Sequence, residues 1–486
     1  MRLLFVLLLS IALFSCSTAI EDTGPVIEDT GPFVETAPVE EPEQDIPVVI
    51  EQIPEEKDVY TTISAAMVVG DIDEAISAYE KAYANDPANT ETRILLVNLL
   101  MAAGRIDEAK AEIESILSEE PENVNGLYNL SLIQGIQNPS GKSEKQEQTL
   151  LRIIELDPGN SRALASLGEI KLRNKELKNA RDSFEKSLEA EPENTVALMG
   201  YGNVLLREED PEAAEEQFSK VLDENPEYIF AYVDRSRAKM EKGDYSGAEK
   251  DLTSAIELDP NHYWHYIDRG RVRLLGLSDS TGALEDFNRA IEIDPDYFYA
   301  HIYRGGILDQ KGERKQAIED YLLVLEARHD YYYIYAPLGV LLYMEERWAD
   351  ARSYFQQAYD FEKEEHFYAF LTALAYRKDG LDDEMEEYLK KAIVLFPRDS
   401  LYYKMARIFF ESNSEGFVTG EVSREQNNDM KQKNLFILAT HSLLNGQTTL
   451  AQTWFLEVED KAFPSSFERR LAIWELEKYR NEGSKQ

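Results

Sequence analysis

The chain has 486 residues, of which 43% are hydrophobic, so its apolar surface must be buried in several domains or in one extended array. Its 92 acidic and 51 basic residues give a formal net charge of −41, which repels phosphates and excludes nucleic acid as an expected partner. A single cysteine, Cys16, excludes an intrachain disulfide framework and a metal site built from cysteines.

The N-terminus has the pattern of an export signal. Residues 1–15 contain a basic residue followed by an apolar run of about a dozen residues, which is too short to span a bilayer. Together with Cys16, this segment resembles a bacterial lipoprotein signal whose lipobox is residues 13–16. The resemblance implies cleavage before Cys16 and lipidation of its thiol. Because Phe14 is bulkier than the residue usual at its place, ordinary signal-peptidase cleavage near Ala19 is the alternative.

The same resemblance implies a location in the bacterial cell envelope. No later segment has 18 consecutive apolar residues, so the acyl chains on Cys16 are expected to be the sole anchor. Ser17 is not the aspartate that retains lipoproteins at the inner membrane of well-studied Gram-negative bacteria. This favours the outer membrane, with the protein facing the periplasm.

Residues 16–57 are rich in Pro, Glu, Asp, Thr and Val and contain the tandem repeat IEDTGPV-IEDTGPF at 20–33. Low apolar density, like charge and frequent proline do not allow a packed core. We therefore expect an extended, disordered acidic tether between the anchor and the folded part.

From residue 58 onward, prolines recur with a period close to 34 residues. They are Pro87, Pro121, Pro158, Pro192, Pro226, Pro260, Pro295 and Pro397. Each period contains a helical apolar pattern, a turn and a second helical pattern that ends at the proline, which predicts a helix-turn-helix hairpin. Such a hairpin buries both of its faces only by stacking on its neighbours.

The residues inside the period resemble the tetratricopeptide repeat. The unit at 229–262 has Gly243 at the turn, then Ala248, Leu252, Ala255 and Pro260, and the next unit has Gly270, Ala283, Phe287, Ala290 and Pro295. Small residues are expected where the two helices approach closely: Ala75, Ala109, Ala180, Ala214, Ala248, Ala283, Ala317 and Ala351. Large residues are expected to fill the space beside them: Tyr79, Phe184, Phe218, Phe287, Tyr321 and Phe355. The resemblance implies an all-α fold, a right-handed superhelical solenoid of tetratricopeptide hairpins.

The resemblance covers residues 58–399 as about ten repeats. The third repeat carries extra residues at its turn, and the eighth and ninth lack the closing proline. Residues 400–486 are expected to contain degenerate repeats, interrupted by a polar stretch at 411–433, and a capping helix at 465–478.

Residues suited to catalysis are sparse in this array. Of the six histidines, only His262 and His265 lie close in sequence, and no third ligand accompanies them, so neither a metal site nor another cofactor is expected. Three arginine–aspartate pairs recur in one phase and are expected to be structural bidentate pairs: Arg235 with Asp251, Arg269 with Asp286, and Arg304 with Asp320. The chain is therefore predicted not to be an enzyme.

Aromatic side chains recur at the second position of five successive repeats: Phe230, Trp264, Tyr299, Tyr333 and Phe367. In tetratricopeptide arrays the second and fifth positions of the first helix point into the concave groove. The fifth positions include Ile267 and Ile302, and Arg237 and Arg271 face the same side by phase. We predict that these residues form a partner-binding groove, since exposed apolar stripes mark interaction sites. The alternative is that some of the rings pack on the preceding repeat.

These patterns favour a membrane-anchored scaffold that binds protein or peptide partners in the groove of the solenoid, in a role in envelope assembly. The alternative function is a lipoprotein that captures a small molecule or glycan for a transporter, because aromatic stripes also suit such ligands. A compact pocket with converging polar groups would favour the alternative over an open groove.

Overall fold

The computed structural model describes residues 59–68, 70–83, 89–138, 144–411 and 415–483. The predicted signal segment, the tether and Cys16 lie outside these residues. The described part is all-helical and contains no strand, as predicted. None of its helices is both long enough and apolar enough to cross a bilayer. It divides into two compact units, which we call the N-terminal unit (59–259) and the C-terminal unit (260–483).

The N-terminal unit consists of consecutive antiparallel helices, each pair forming one hairpin. The helices are α1 (Val59–Val68), α2 (Ile72–Tyr83), α3 (Thr90–Ala102), α4 (Ile106–Glu119), α5 (Val124–Ile136), α6 (Glu144–Leu156), α7 (Ser161–Arg173), α8 (Leu177–Ala190), α9 (Thr195–Arg207), α10 (Pro211–Glu224), α11 (Ile229–Glu241) and α12 (Tyr245–Leu258). Each hairpin packs against the next one along the chain, which is the arrangement of a tetratricopeptide solenoid.

The C-terminal unit continues the hairpin pattern and then departs from it. Its helices are α13 (Tyr263–Arg271), α14 (Ser280–Ile293), α15 (Phe298–Gln310), α16 (Arg314–Ala327), α17 (Tyr335–Met344), α18 (Trp348–Phe361), α19 (His366–Lys378), α20 (Asp382–Ala392), α21 (Leu401–Arg407), α22 (Glu415–Arg424), α23 (Asn428–Leu444), α24 (Thr448–Lys461) and α25 (Phe467–Gly483). A π-helical turn at Val272–Gly276 extends α13, and 3-10 turns at Tyr332–Ile334 and Ile393–Leu395 precede α17 and follow α20.

The core of each hairpin is built as the sequence predicted. The eight small residues from Ala75 to Ala351 are all 0% exposed, and the large residues from Tyr79 to Phe355 are buried beside them. Gly243 lies at the turn with a φ of +80°, a conformation that glycine adopts without strain.

Glycines of the first helices let the two helices of a hairpin approach each other. A Cβ added to Gly168 would lie 2.6 Å from the ring of Phe184, and one added to Gly270 would lie 2.9 Å from the ring of Phe287. Gly270 is therefore not a turn residue. It lies inside α13, where a larger side chain would force the second helix of its hairpin away.

The last helices do not simply extend the stack. Residues 411–433 are mostly polar, yet they include α22 and the first turns of α23. Residues 432–442 of α23 are all buried. The predicted capping helix is α25. It packs on α24 and also on α17, which is the first helix of the hairpin α17–α18. First helices of the C-terminal unit are thus covered by helices from much later in the chain.

Candidate functional site

The five rings of the predicted stripe differ widely in exposure. Phe230, on α11 of the N-terminal unit, is 55% exposed. In the C-terminal unit, Trp264, Tyr299 and Tyr333 are partly exposed, whereas Phe367 is 0% exposed. Within this unit the accessible part of the stripe therefore ends at Tyr333.

Phe367 belongs to the core because α23 packs against α19. Its ring meets that of Phe436 edge-on, with 6.1 Å between the centroids. Every residue of α19 from 366 to 375 is buried, so both sides of this helix are covered. The prediction that Phe367 lines a groove is corrected by this finding.

Ile267 and Ile302 occupy the same repeat position but not the same environment. Ile302 is partly exposed, whereas Ile267 is 0% exposed. Helix α13 buries residues on more than one side, including Ile267, Gly270 and Arg271, so Ile267 is also a core residue. The prediction that Ile267 lines the groove is corrected in the same way.

The two arginines of the prediction each pair with the aspartate three residues earlier. Arg237, partly exposed on α11, lies 3.3 Å from Asp234. Arg271 lies 3.7 Å from Asp268, and its guanidinium sits 6.0 Å from the centroid of the Tyr303 ring. Because only 3% of Arg271 is exposed, its side chain packs and pairs within the C-terminal unit and does not line an accessible surface.

The C-terminal helix α25 contacts the C-terminal ends of α15, α17 and α19, each of which is the first helix of a hairpin. The Trp474 ring lies 5.8 Å from that of Tyr343 on α17, and Arg470 Nη1 is 3.0 Å from Asp309 Oδ2 on α15. Lys378 Nζ, on α19, lies 2.5 Å from Glu475 Oε1, and Glu475 is buried while Lys378 is mostly so. These contacts leave the helix starts of α13, α15 and α17 as the accessible part of the stripe.

Aromatic rings meet one another in succession at these helix starts. The Trp264 and Tyr297 ring centroids are 4.7 Å apart, those of Tyr297 and Tyr299 are 5.6 Å apart, and those of Tyr331 and Tyr333 are 5.5 Å apart. The remaining rings bridge these pairs. We call the whole set the aromatic cluster: Tyr263, Trp264, Tyr297, Phe298, Tyr299, Tyr331, Tyr332, Tyr333 and Phe361.

Comparison with models of known families identifies the repeats. One model of the tetratricopeptide repeat matches residues 69–130 and 171–240, and a second matches 233–297 and 272–333. The chain carries tetratricopeptide repeats. No curated protein matches it.

Solved tetratricopeptide structures are similar to parts of this chain. YrrB, described as having an unusual peptide-binding site, is 23% identical over 39% of this chain and 95% of its own, with a TM-score of 0.34. PilF of Pseudomonas aeruginosa is 16% identical over 44% and 96%, with a TM-score of 0.39. MamA of Desulfovibrio magneticus is 19% identical over 36% and 96%, with a TM-score of 0.33. Likenesses of this size carry no argument about what the chain binds.

The first helices of four successive hairpins, which begin after Tyr228, His262, Tyr297 and Tyr331, lack the asparagine cap of earlier hairpins. In the N-terminal unit, asparagines such as Asn160 and Asn194 cap first helices, and each side chain accepts a hydrogen bond from a backbone N–H three residues on, at 3.0 Å. At the same repeat position, Tyr297 and Tyr331 make no side-chain cap. Giving up such a cap costs about 1 kcal/mol, so these positions favour aromatic surface over helix stability.

This exchange of asparagine for tyrosine is the signal that the sequence analysis missed. The predicted stripe takes one ring per repeat, at the second helical position, whereas Tyr263, Phe298 and Tyr332 stand one residue earlier and Tyr297 and Tyr331 two residues earlier. The three adjacent positions together make a surface several rings wide, whereas one position alone makes a narrow stripe.

Two tyrosines of the cluster, Tyr297 and Tyr331, are held in the un-ionised form. Burial raises the pKa of Tyr297 and of Tyr331 above the ordinary value, and neighbouring tyrosines add to the rise in both. The Tyr297 hydroxyl is fully buried without a hydrogen-bond partner among the described residues. The cluster therefore presents neutral, electron-rich ring faces.

The arginine–aspartate pairs are confirmed as bidentate contacts inside the hairpins. Arg235 Nε and Nη2 donate to the two carboxylate oxygens of Asp251 at 2.9 and 2.8 Å. The equivalent pair on α15 and α16 shows how the charges balance: burial raises the pKa of Asp320, but hydrogen bonds from Arg304 and His301 outweigh it, so the pKa is lowered overall. These groups hold the hairpins together and contact no candidate ligand surface.

His262 and His265 stack on each other with ring centroids 4.5 Å apart. Over the described ranges, no group of three or more His, Cys, Asp or Glu side chains is arranged to hold a metal ion. The His262 ring also stacks on the Tyr263 ring of the cluster, with 6.0 Å between the centroids.

Proposed function

We propose that this chain is a non-enzymatic scaffold that holds a protein or peptide partner on the aromatic cluster of its C-terminal unit. In this proposal the lipidated Cys16 anchors it in a bacterial cell envelope, at the outer membrane and facing the periplasm, where it serves envelope assembly. The observation that carries the proposal is the succession of touching, partly exposed rings from Trp264 to Tyr333.

Tetratricopeptide repeats generally mediate protein–protein interactions. Tryptophan and tyrosine supply large contact areas at small cost in conformational entropy, and they dominate the binding energy of protein interfaces. Because hairpin packing is already supplied by residues such as Ala283 and Phe287, the rings at the helix starts are available for a partner.

Binding at the cluster is tested with peptides selected on the full chain from a random display library. Trp264→Ala and Tyr299→Ala are each expected to weaken a selected peptide by about 2 kcal/mol, as truncation of aromatic anchors does. Since both rings are partly exposed, the loss of unfolding free energy should stay below about 2 kcal/mol. Isothermal titration and urea denaturation measure the two effects.

Phe417→Ala is the matched control for this test. Phe417 is 64% exposed on α22 and belongs to no ring contact of the cluster, so its truncation should leave the titration unchanged. Equal weakening by all three changes would contradict binding at the cluster. If no selected peptide depends on Trp264, the alternative function, capture of a small molecule or glycan, gains support.

The anchor is tested separately. With the chain expressed in a bacterium that lipidates proteins, Cys16→Ala should abolish labelling by a fatty-acid analogue and release the protein from the membrane fraction. Phe14→Ala is the control, because it brings the segment closer to the usual lipobox and should keep the label. Unchanged labelling of Cys16→Ala would refute the anchor.

A further inference from the structure

The loops beside the aromatic cluster are rich in Asp and Glu. The loops that lead into α15, α17 and α19 are residues 294–297, 328–331 and 362–365, and together they carry six Asp or Glu residues against two basic residues, one Arg and one Lys. Rings of the cluster stand in or directly beside each loop. A ligand on the cluster therefore meets electron-rich ring faces and negative charge together.

The two basic residues of these loops show how a cation contacts neighbouring aromatic rings and carboxylates. The guanidinium of Arg328 lies 5.5 Å from the centroid of the Phe298 ring, and its Nε lies 3.4 Å from Asp330 Oδ1. In the third loop, Lys363 Nζ lies 5.2 Å from the centroid of the Tyr359 ring and pairs with Asp360. Each cation thus contacts a ring face and a carboxylate at once, which combines a cation–π contact with an ion pair.

The first of the three loops has the rings and the carboxylates but no cation. Asp294 and Asp296 lie there in sequence next to Tyr297, and residues 294–297 include neither Arg nor Lys. Asp294 Oδ1 accepts a hydrogen bond from the Asp296 backbone N–H, and neither carboxylate forms an ion pair within the described part of the chain. A positively charged partner group would find two carboxylates at this loop that are unpaired among the described residues.

The negative net charge of the chain disfavours negatively charged partners at this surface. A second copy carries the same formal charge of −41 and would be repelled, as would nucleic acid and an anionic lipid surface. An acidic peptide would place its carboxylates beside Asp294 and Asp296. A basic segment is the occupant whose charge is complementary.

We propose that the aromatic cluster binds a basic segment of a partner protein, with an Arg or Lys side chain seated between the rings of Trp264 and Tyr299 and the carboxylates of Asp294 and Asp296. The inference rests on the proposed function and specifies the partner of that surface. The chain's own Arg328 makes the same pair of contacts one loop further on.

The test is a fluorescence anisotropy titration of the full chain with a labelled peptide of alternating Arg and Gly, and with a Glu-Gly peptide of equal length. The Arg-Gly peptide should bind, and the Glu-Gly peptide should not. Trp264→Leu with Tyr299→Leu, which keeps apolar side chains but removes both rings, should raise Kd about fivefold or more. Asp294→Asn with Asp296→Asn should weaken binding by a similar factor.

Asp383→Asn with Glu384→Gln is the matched control for charge, because it removes two exposed carboxylates at the start of α20 that form no ion pair with any residue the structure describes. This control should change Kd less than twofold. Equal weakening by both carboxylate pairs would show only general attraction to an acidic protein and would overturn the proposal. Library peptides that depend on Trp264 but carry no basic residue would also overturn it, while leaving the proposed function standing.

Discussion

Phe367→Ala is expected to lower the free energy of unfolding by about 3 to 5 kcal/mol, the range for truncating a buried aromatic side chain. The ring is 0% exposed and packs edge-on against Phe436, so its removal leaves a cavity that α19 and α23 fill only partly. Urea denaturation followed by circular dichroism measures the change.

Phe230→Ala is the matched control, since Phe230 occupies the same position of an earlier repeat but is 55% exposed. Its truncation should cost less than about 1 kcal/mol, because little apolar surface returns to water. Similar losses for the two variants would contradict the difference in burial. The comparison separates the core role of this repeat position from its surface role.

Glu468→Gln is expected to stabilise the protein at pH 8 by about 3 kcal/mol and to leave its stability at pH 4 nearly unchanged. Glu468, on α25, is 0% exposed, and poorly aligned contacts with Ser466 and with its own backbone N–H only partly oppose the effect of burial on its carboxyl group. Burial raises its pKa to about 7. Nearby Lys433 already has two carboxylate partners, Glu365 and Asp429, each at 2.9 Å, so it does little to stabilise a third negative charge.

The direction of the pH effect follows from which state holds the proton. The unfolded chain releases the proton of Glu468 near pH 4.5, whereas the folded protein holds it to about pH 7. Stability of the wild-type protein therefore falls as pH rises through this window and levels off above it. In the glutamine variant this contribution is absent, because the amide does not titrate.

Denaturation at pH 4, 6 and 8 checks this prediction, with Glu477→Gln as the control. Glu477 lies on the same helix but is exposed, so its replacement should shift stability equally and slightly at each pH. A gain for Glu468→Gln that does not grow with pH would show that the carboxyl is ionised throughout and would refute the protonated state.

The candidate site could be predicted only in part. The repeat phase placed Trp264, Tyr299 and Tyr333 on one side of their helices, and all three are partly exposed. Their binding of a partner stays a prediction. The phase gave the same expectation for Phe367, which was wrong, because α23 reaches α19 from a distant part of the sequence. No local pattern distinguishes these positions.

The burial of Lys433 also could not be predicted from the sequence. A lysine at the end of a polar stretch is usually solvated, yet only 3% of Lys433 is exposed. It is accommodated because Glu365 comes from α19 and Asp429 from the preceding turn of α23. The ion pair depends on two helices that the sequence places far apart.

The sequence by itself determined the hairpin: the 34-residue period, the alanines from Ala75 to Ala351 and the aromatic residues beside them set the helix pairs, because these contacts are local and repeat in every unit. Only the tertiary structure decided which first helices stay accessible. That choice depends on α23 and α25 packing back onto earlier helices through Phe436, Arg470 and Trp474. Burial of a repeated position is set by its non-local neighbours, and these do not follow the period.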